Sequence, residues 1–222
     1  MEKNTYDAIV IGSGISGGWA AKELTEKGLK TIMLERGRNV EHIKDYVNTP
    51  KAPWELLHRG GKTQQMIADH PVLKRDYTLN ESNLNYWVNE KESPYVEVKP
   101  FDWFRGYQVG GRSLTWGRQS YRWSDFDYEA NAKDGIAVDW PIRYKDMAPW
   151  YSHVEKFAGI SGSKENLPQL PDGEFMPPME MNCVEKDVAA RIKKHYAHRR
   201  MVIGRTANIT QPHHNRVNCQ YQ

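Results

Sequence analysis

A cluster of glycines near the start of the chain has the spacing of a phosphate-binding turn. Gly12, Gly14 and Gly17 form the pattern G-x-G-x-x-G, with Ile15 and Ser16 between the second and third glycines. In such a turn the first glycine permits a tight bend, the second lets a pyrophosphate approach the backbone, and the third lets a helix pack closely on a strand. Free N–H groups at the start of that helix favour phosphate. These residues therefore predict a nucleotide site.

An acidic residue follows at the distance that this kind of turn requires. Glu35 lies 18 residues after Gly17, at the end of an apolar run, and Arg36 comes next. A carboxylate in this place can accept hydrogen bonds from an adenosine ribose. Glu35 and Arg36 are therefore predicted to contact the same nucleotide.

The segments around these residues have the pattern of strand, helix and strand. Ala8–Ile11 and Thr31–Leu34 are short apolar runs, which is typical of buried parallel strands. Good helix formers occupy residues 19–27, and Gly28 is a suitable left-handed end for that helix. Because such crossovers almost always join parallel strands of one sheet, the predicted fold class is α/β with a Rossmann-like domain.

The rest of the chain has weaker patterns. Residues 39–104 are interrupted by prolines, which predicts helical segments and loops covering the sheet. Another helix is predicted from Asp146, as its N-cap, to Ala158, followed by one over residues 184–195. The proline-containing segment 161–178 between them has the composition of a linker.

A second glycine-rich stretch covers residues 105–117, with four glycines in thirteen positions. Such a density requires positive φ angles or close backbone approach, which predicts a functional loop. The Trp and Tyr residues between Trp87 and Trp123 fit a sugar-stacking surface and a hydrophobic core equally well.

Charge and cysteine content exclude several classes of protein. The chain of 222 residues carries 31 basic and 28 acidic side chains, so its formal charge of +3 predicts no nucleic-acid partner. No stretch is long and apolar enough to predict a membrane span, and the absence of a secretion signal predicts a cytoplasmic protein. The scattered His and Cys residues fit no standard zinc spacing, so no metal is predicted.

Two segments of the chain resemble the glucose-methanol-choline oxidoreductase family. The first is the opening YDAIVIGSGISG from Tyr6 to Gly17, which continues to Arg36. The second is VGGRSLTWG, from Val109 to Gly117, followed by SDFD from Ser124. Trp116 and the later WPIRY motif are most similar to the branch that holds gluconate dehydrogenase flavoproteins and pyranose oxidases.

The resemblance implies an FAD-binding domain in which this second loop runs beside the pyrophosphate and the isoalloxazine. It assigns flavin contacts to Val109, Gly110, Gly111, Ser113, Thr115, Trp116 and Gly117. Pyranose oxidases carry a flavin-linked histidine immediately before the Trp, where this chain has Thr115, so FAD is expected to be bound without a covalent link.

Length is the main departure from the family, whose members usually have more than twice as many residues. Their catalytic histidine lies near the C-terminus, so the catalytic residues of this reaction are unknown here. We expect an N-terminal fragment, with an FAD-binding domain over residues 1–160 and the start of a substrate domain over residues 161–222.

Within this family the expected reaction is hydride transfer from an alcohol group of a sugar or polyol to the flavin, with an unknown electron acceptor. Two alternatives stay open. One is a catalytically silent FAD- or nucleotide-binding fragment, and the other is an NAD-dependent dehydrogenase that uses the same glycine turn.

Overall fold

The computed structural model describes residues 5–219. The chain divides into two compact units, Met1–Trp116 and Gly117–Gln222. These units reflect contacts within the chain and not what each part binds. The predicted functional domains, 1–160 and 161–222, therefore stay a prediction.

The first unit begins with the predicted strand, helix and strand. Strand β1 (Ala8–Ile11) pairs in parallel with strand β2 (Thr31–Leu34), and helix α1 (Ile15–Glu26) connects them. Both strands have the predicted bounds, and Gly28 has the predicted left-handed conformation, with φ of 83°. Helix α1 begins four residues earlier than predicted, because it includes glycines that the pattern assigned to the turn.

Helix α1 packs on β1 through Gly17. A Cβ atom at this position would lie 1.9 Å from the carbonyl oxygen of Gly12 and 3.4 Å from Cγ1 of Val10. Val10 is the buried residue of β1, whereas Ile9 and Ile11 are 65% and 84% exposed. The helix therefore covers one face of the two strands. The opposite face, which carries Ile9 and Ile11, is exposed, so the prediction that residues 39–104 cover the sheet is wrong for that face.

The middle of the first unit forms its own small core. Residues 39–104 contain helix α2 (Gln64–Asp69) and short 3-10 turns at Pro53–Glu55, Leu73–Arg75 and Leu84–Tyr86. Their apolar cluster consists of Leu73, Leu79 and Trp87, with Leu84 and Phe104 packed against it.

The second unit contains four helices among its described residues. They are α3 (Asp125–Tyr128), α4 (Ala130–Asp134), α5 (Tyr144–Ala158) and α6 (Cys183–His195). The prediction that Asp146 is the N-cap of α5 is wrong, because the helix begins at Tyr144 and Arg143 is its N-cap. The Asp146 carboxylate instead accepts the backbone N–H of Arg143 at 2.8 Å, which satisfies a free donor at the helix start.

Helix α5 buries a charged face. Glu155 is 6% exposed and binds the buried Arg122 guanidinium through two hydrogen bonds of 2.8 and 2.6 Å. Burial disfavours the Arg122 cation, but the bonds to Glu155 and Tyr144 outweigh this and raise the pKa of Arg122. The apolar side chain of Trp150 on the same helix is 60% exposed. The buried contact that anchors α5 is therefore the ion pair between Glu155 and Arg122.

The segment 161–178, predicted as a linker, is packed within the second unit. Ser161 is 1% exposed and exchanges two backbone hydrogen bonds with Thr206, of 2.9 and 3.1 Å. Arg205 is 1% exposed, bonds Asp172 at 2.9 Å and lies over the Phe175 ring. The composition of this segment therefore reflects turns in a folded region.

Two neighbouring glycines in α1 test the close contact between this helix and β1. Gly17→Ala would place a Cβ against the carbonyl of Gly12, so we expect the free energy of unfolding to fall by at least about 2 kcal/mol. Gly18→Ala is the matched control, because its Cβ would meet nothing within 4 Å. That variant should be as stable as the wild type, or more stable by about 1 kcal/mol. Urea unfolding measures both variants, and equal stabilities would contradict the packing described.

Candidate functional site

The glycine turn between β1 and α1 presents open backbone. The N–H of Gly12 donates to the carbonyl of Leu34 at 2.7 Å, which ties the turn to the end of β2. A Cβ built at Gly12 or Gly14 would meet nothing within 4 Å. In the part of the chain that the structure describes, α1 has no side-chain cap and no acidic residue in its first turn. The N–H groups of Ile15 and Ser16 at this end therefore lie where an anion is favoured.

The carboxylate of Glu35 joins the end of β2 to this turn. Its Oε2 accepts the Ser13 N–H at 2.8 Å and the Ser13 hydroxyl at 2.6 Å, and its Oε1 accepts the Gly37 N–H at 2.8 Å. The hydrogen bonds from the Ser13 hydroxyl, the Ser13 N–H and the Gly37 N–H outweigh partial burial and lower the pKa of Glu35 to about 2. Glu35 is therefore ionised at neutral pH.

Ser13 also reaches the second glycine loop. While its hydroxyl donates to Glu35, the same oxygen accepts the Gly110 N–H at 3.0 Å. Nearby, a Cβ at Gly111 would lie 3.3 Å from Cα of Gly14. The structure therefore brings together the turn, the acid and the second loop. Ser13 was not among the predicted site residues, and only its place inside the glycine motif could have indicated it.

The segment after β2 runs alongside the second loop. The N–H of Val109 donates to the carbonyl of Arg38 at 2.9 Å. A Cβ at Gly37 would lie 2.3 Å from the carbonyl carbon of Tyr107 and 2.4 Å from the backbone nitrogen of Gln108. Only glycine allows this approach, so Gly37 sets the distance between the two segments.

The remaining residues of the predicted site continue this loop. Ser113 donates its hydroxyl to the carbonyl of Gly110 at 2.6 Å, and the Nε of Arg112 donates to the Thr115 hydroxyl at 3.2 Å. Trp116 is 40% exposed and ends the first compact unit, and Gly117 begins the second.

The aromatic residues between Trp87 and Trp123 have several different environments. Trp87 belongs to the core of the first unit. Trp103 and Tyr95 lie around the Arg105 guanidinium. Trp123, in the second unit, is 50% exposed and packs edge-on against Tyr128 and Trp140. The core interpretation therefore holds for Trp87.

These elements together fit a known class of nucleotide-binding fold. Two parallel strands, a glycine turn opening the helix between them, and an ionised carboxylate beside the turn are compatible with a Rossmann-like dinucleotide-binding region.

Comparison with known proteins narrows this class. No protein-family model matches the chain. It is 28% identical to a gluconate 2-dehydrogenase flavoprotein of Pantoea cypripedii over 174 residues, which are 73% of this chain and 26% of that protein. It is 25% identical to the fructose dehydrogenase large subunit of Gluconobacter japonicus over 182 residues, or 80% of this chain and 30% of that subunit. An oxygen-dependent choline dehydrogenase of Pseudomonas syringae is 27% identical over 155 residues, 69% of this chain and 23% of that enzyme.

These similarities confirm the predicted resemblance to the glucose-methanol-choline oxidoreductases. The chain spans about a quarter of the length of the first relatives that it matches. Within residues 5–219, every helix is too short or too polar to cross a membrane.

The low pKa of Glu35 makes stability depend on pH. Its pKa is about 2 in the folded chain, against an ordinary value of 4.5, so the unfolded chain binds the proton more readily. We expect the resulting stability to be fully present above pH 4.5 and to be lost as the pH falls towards 2. Urea unfolding at a series of pH values measures this loss, and Glu35→Gln should flatten the profile in that window.

Ser13→Ala should raise the pKa of Glu35 in the folded chain, because it removes the hydroxyl that bonds the carboxylate. The loss of stability on acidification should therefore be complete at a higher pH than in the wild type. The control is Glu26→Gln, at a side chain that is 60% exposed, and it should follow the wild-type profile. An unchanged profile for Glu35→Gln would contradict the role assigned to this carboxylate.

Proposed function

We propose that this chain forms the FAD-binding region of a glucose-methanol-choline-type oxidoreductase, and that the flavin is held without a covalent bond. The observation that carries the proposal is the Ser13 hydroxyl, which bonds both Glu35 and the N–H of Gly110. Through it the phosphate-binding turn, the ribose-binding acid and the second glycine loop converge on one place.

The chain's own residues fit the ADP half of FAD. The open backbone at Gly12 and Gly14, with the N–H groups at the start of α1, suits a pyrophosphate. A carboxylate offers about four lone-pair sites; on Glu35, Ser13 occupies two of them at Oε2 and Gly37 occupies one at Oε1. A ribose hydroxyl can use the remaining site or take the place of the Ser13 hydroxyl as donor.

The second loop is assigned to the flavin half. Gly110 and Gly111 adjoin Ser13 and Gly14, so a group bound along the turn would meet this loop next. The hydroxyl of Thr115 accepts a hydrogen bond from Arg112. Threonine has no ring nitrogen, so it cannot form a histidyl link to flavin. Trp116 and Gly117 complete this part of the proposal.

The substrate class comes from the relatives. FAD, when bound, accepts a hydride from the carbon of an alcohol group. The names of the relatives include gluconate, fructose and choline dehydrogenases, which supports an alcohol group of a sugar or polyol as the substrate here. In this proposal residues 5–219 bind and orient the cofactor, and the base that removes the hydroxyl proton is not assigned to any of them.

FAD titration tests the proposal. We expect the purified chain to bind FAD, and Glu35→Ala to weaken binding by about 1 to 3 kcal/mol, because it removes an ionised hydrogen-bond acceptor. The matched control is Glu26→Ala, which removes an exposed acid at the far end of α1 and should leave affinity unchanged.

Two results separate the alternatives. A colourless protein that binds NADH and not FAD would support an NAD-dependent dehydrogenase. Saturable anaerobic bleaching of the FAD-loaded chain by one sugar or alcohol would exclude a silent nucleotide-binding chain.

The type of flavin attachment has a separate test. Because Thr115 cannot form a histidyl link, acid precipitation of the FAD-loaded chain should release all the flavin into the supernatant. Absorbance of the washed pellet measures what is retained. A pellet that stays yellow after denaturation would show a covalent bond.

A further inference from the structure

The side chain of Arg36, the residue after Glu35, lies over an aromatic ring. Its guanidinium carbon is 3.9 Å from the centroid of the Tyr107 ring, which is stacking distance. Arg36 is otherwise exposed, and none of residues 5–219 gives its guanidinium a hydrogen bond or an ion pair. Within that range the Tyr107 ring is the contact that holds the cation, and the donors of the guanidinium have no partner.

The ring beneath Arg36 is itself fixed from behind. The Tyr107 hydroxyl accepts a hydrogen bond of 2.8 Å from Arg105, which is 5% exposed. Arg105 also donates to the carbonyl of Ser93 at 2.6 Å, and its guanidinium lies 4.8 Å from the centroid of the Trp103 ring. A buried cation that bonds both Tyr107 and Ser93 therefore holds the Tyr107 ring in place.

The position of Arg36 relative to the site is equally constrained. Glu35 is bound to Ser13 on one side, and Gly37 lies against the backbone of Tyr107 and Gln108 on the other. The backbone of Arg36 is thus fixed at both neighbours. Its side chain therefore starts from a fixed backbone position, one residue after the carboxylate assigned to the ribose.

We propose that Arg36, stacked on Tyr107, is the surface on which the adenine ring of the dinucleotide lies, with Tyr107 as the residue that positions it. This inference rests on the proposed function. A guanidinium plane stacks on nucleobases in proteins, and a base joined to the ribose at Glu35 is the nearest planar group of the ligand. Lysine has the same charge but no plane, so the two residues are not equivalent here.

A phosphate on the ribose is the competing ligand for an exposed arginine at this place. Glu35 argues against it. Its carboxylate is ionised at neutral pH and would repel a second anion beside the ribose. The stacking role therefore fits the charges of the site better than a phosphate-binding role does.

Calorimetric titration with ADP, UDP and 2′,5′-ADP tests this inference without any measurement of activity. We expect Arg36→Ala and Arg36→Lys each to weaken ADP binding about tenfold, and UDP binding less, because the smaller ring stacks over less area. The control is Arg75→Ala, which removes another exposed guanidinium of the first unit, paired with Asp102, and should leave all three affinities unchanged.

The role of Tyr107 is tested by a double-mutant cycle. Tyr107→Leu should weaken ADP binding. The double variant with Arg36→Ala should bind ADP no more weakly than Arg36→Ala alone, because both changes remove the same stacking surface. Tyr107→Phe, which keeps the ring, should retain most of the affinity. Circular dichroism establishes that each variant is folded, and the Arg36 variants carry the test if Tyr107→Leu is not.

The outcomes separate this inference from the proposed function. Wild-type protein that binds neither FAD nor ADP would overturn the proposed function. ADP affinity that survives Arg36→Ala would overturn the inference alone. Two results for Arg36→Lys would do the same, namely full affinity for ADP or a preference for 2′,5′-ADP that this variant keeps. Either result would show that residue 36 acts through its charge and would overturn the stacking role.

Discussion

The hydrogen bonds that converge on the Glu35 carboxylate hold the candidate site together. They come from Ser13 in the turn and from Gly37 beyond β2, so one ionised group holds two segments at fixed separation. Hydrogen bonds to an ionised acceptor are stronger than neutral ones, so these bonds can hold the partly buried Glu35 carboxylate in place. Since Ser13 also bonds Gly110, the second loop is attached to the same group at one remove. The other contacts of the site follow from this arrangement.

Local patterns were sufficient for the strands and the glycine turn, because each is defined by neighbouring residues. β1 and β2 have the predicted bounds, and Glu35 lies beside the turn as its spacing indicated. The roles of Ser13 and of the Arg36–Tyr107 stack could not be predicted. Both depend on side chains that meet only when distant segments pack, and no spacing rule reports such a contact.

The second unit shows where hydrophobic patterning fails. Helix α5 lies where the sequence predicts a helix, but its apolar Trp150 is exposed while its charged Glu155 is buried. A buried acid is tolerated because Arg122 pairs with it and Tyr144 and Ser152 bond the guanidinium. A pattern of apolar residues cannot tell which side chain of such a helix is buried, because the partner in the ion pair belongs to another segment.

The bond between Ser13 and Gly110 joins residues 97 positions apart, and this separation bears on the order of folding. The strand–helix–strand segment is local and needs little loop closure, so it can form early. Closing the loop to Gly110 carries a larger entropic cost, which grows with the logarithm of its length. On the ribosome, where synthesis adds about 5 to 20 residues per second, the turn must wait several seconds for its partner loop. The strand–helix–strand segment can therefore form on the nascent chain before the second loop is available to complete the candidate site.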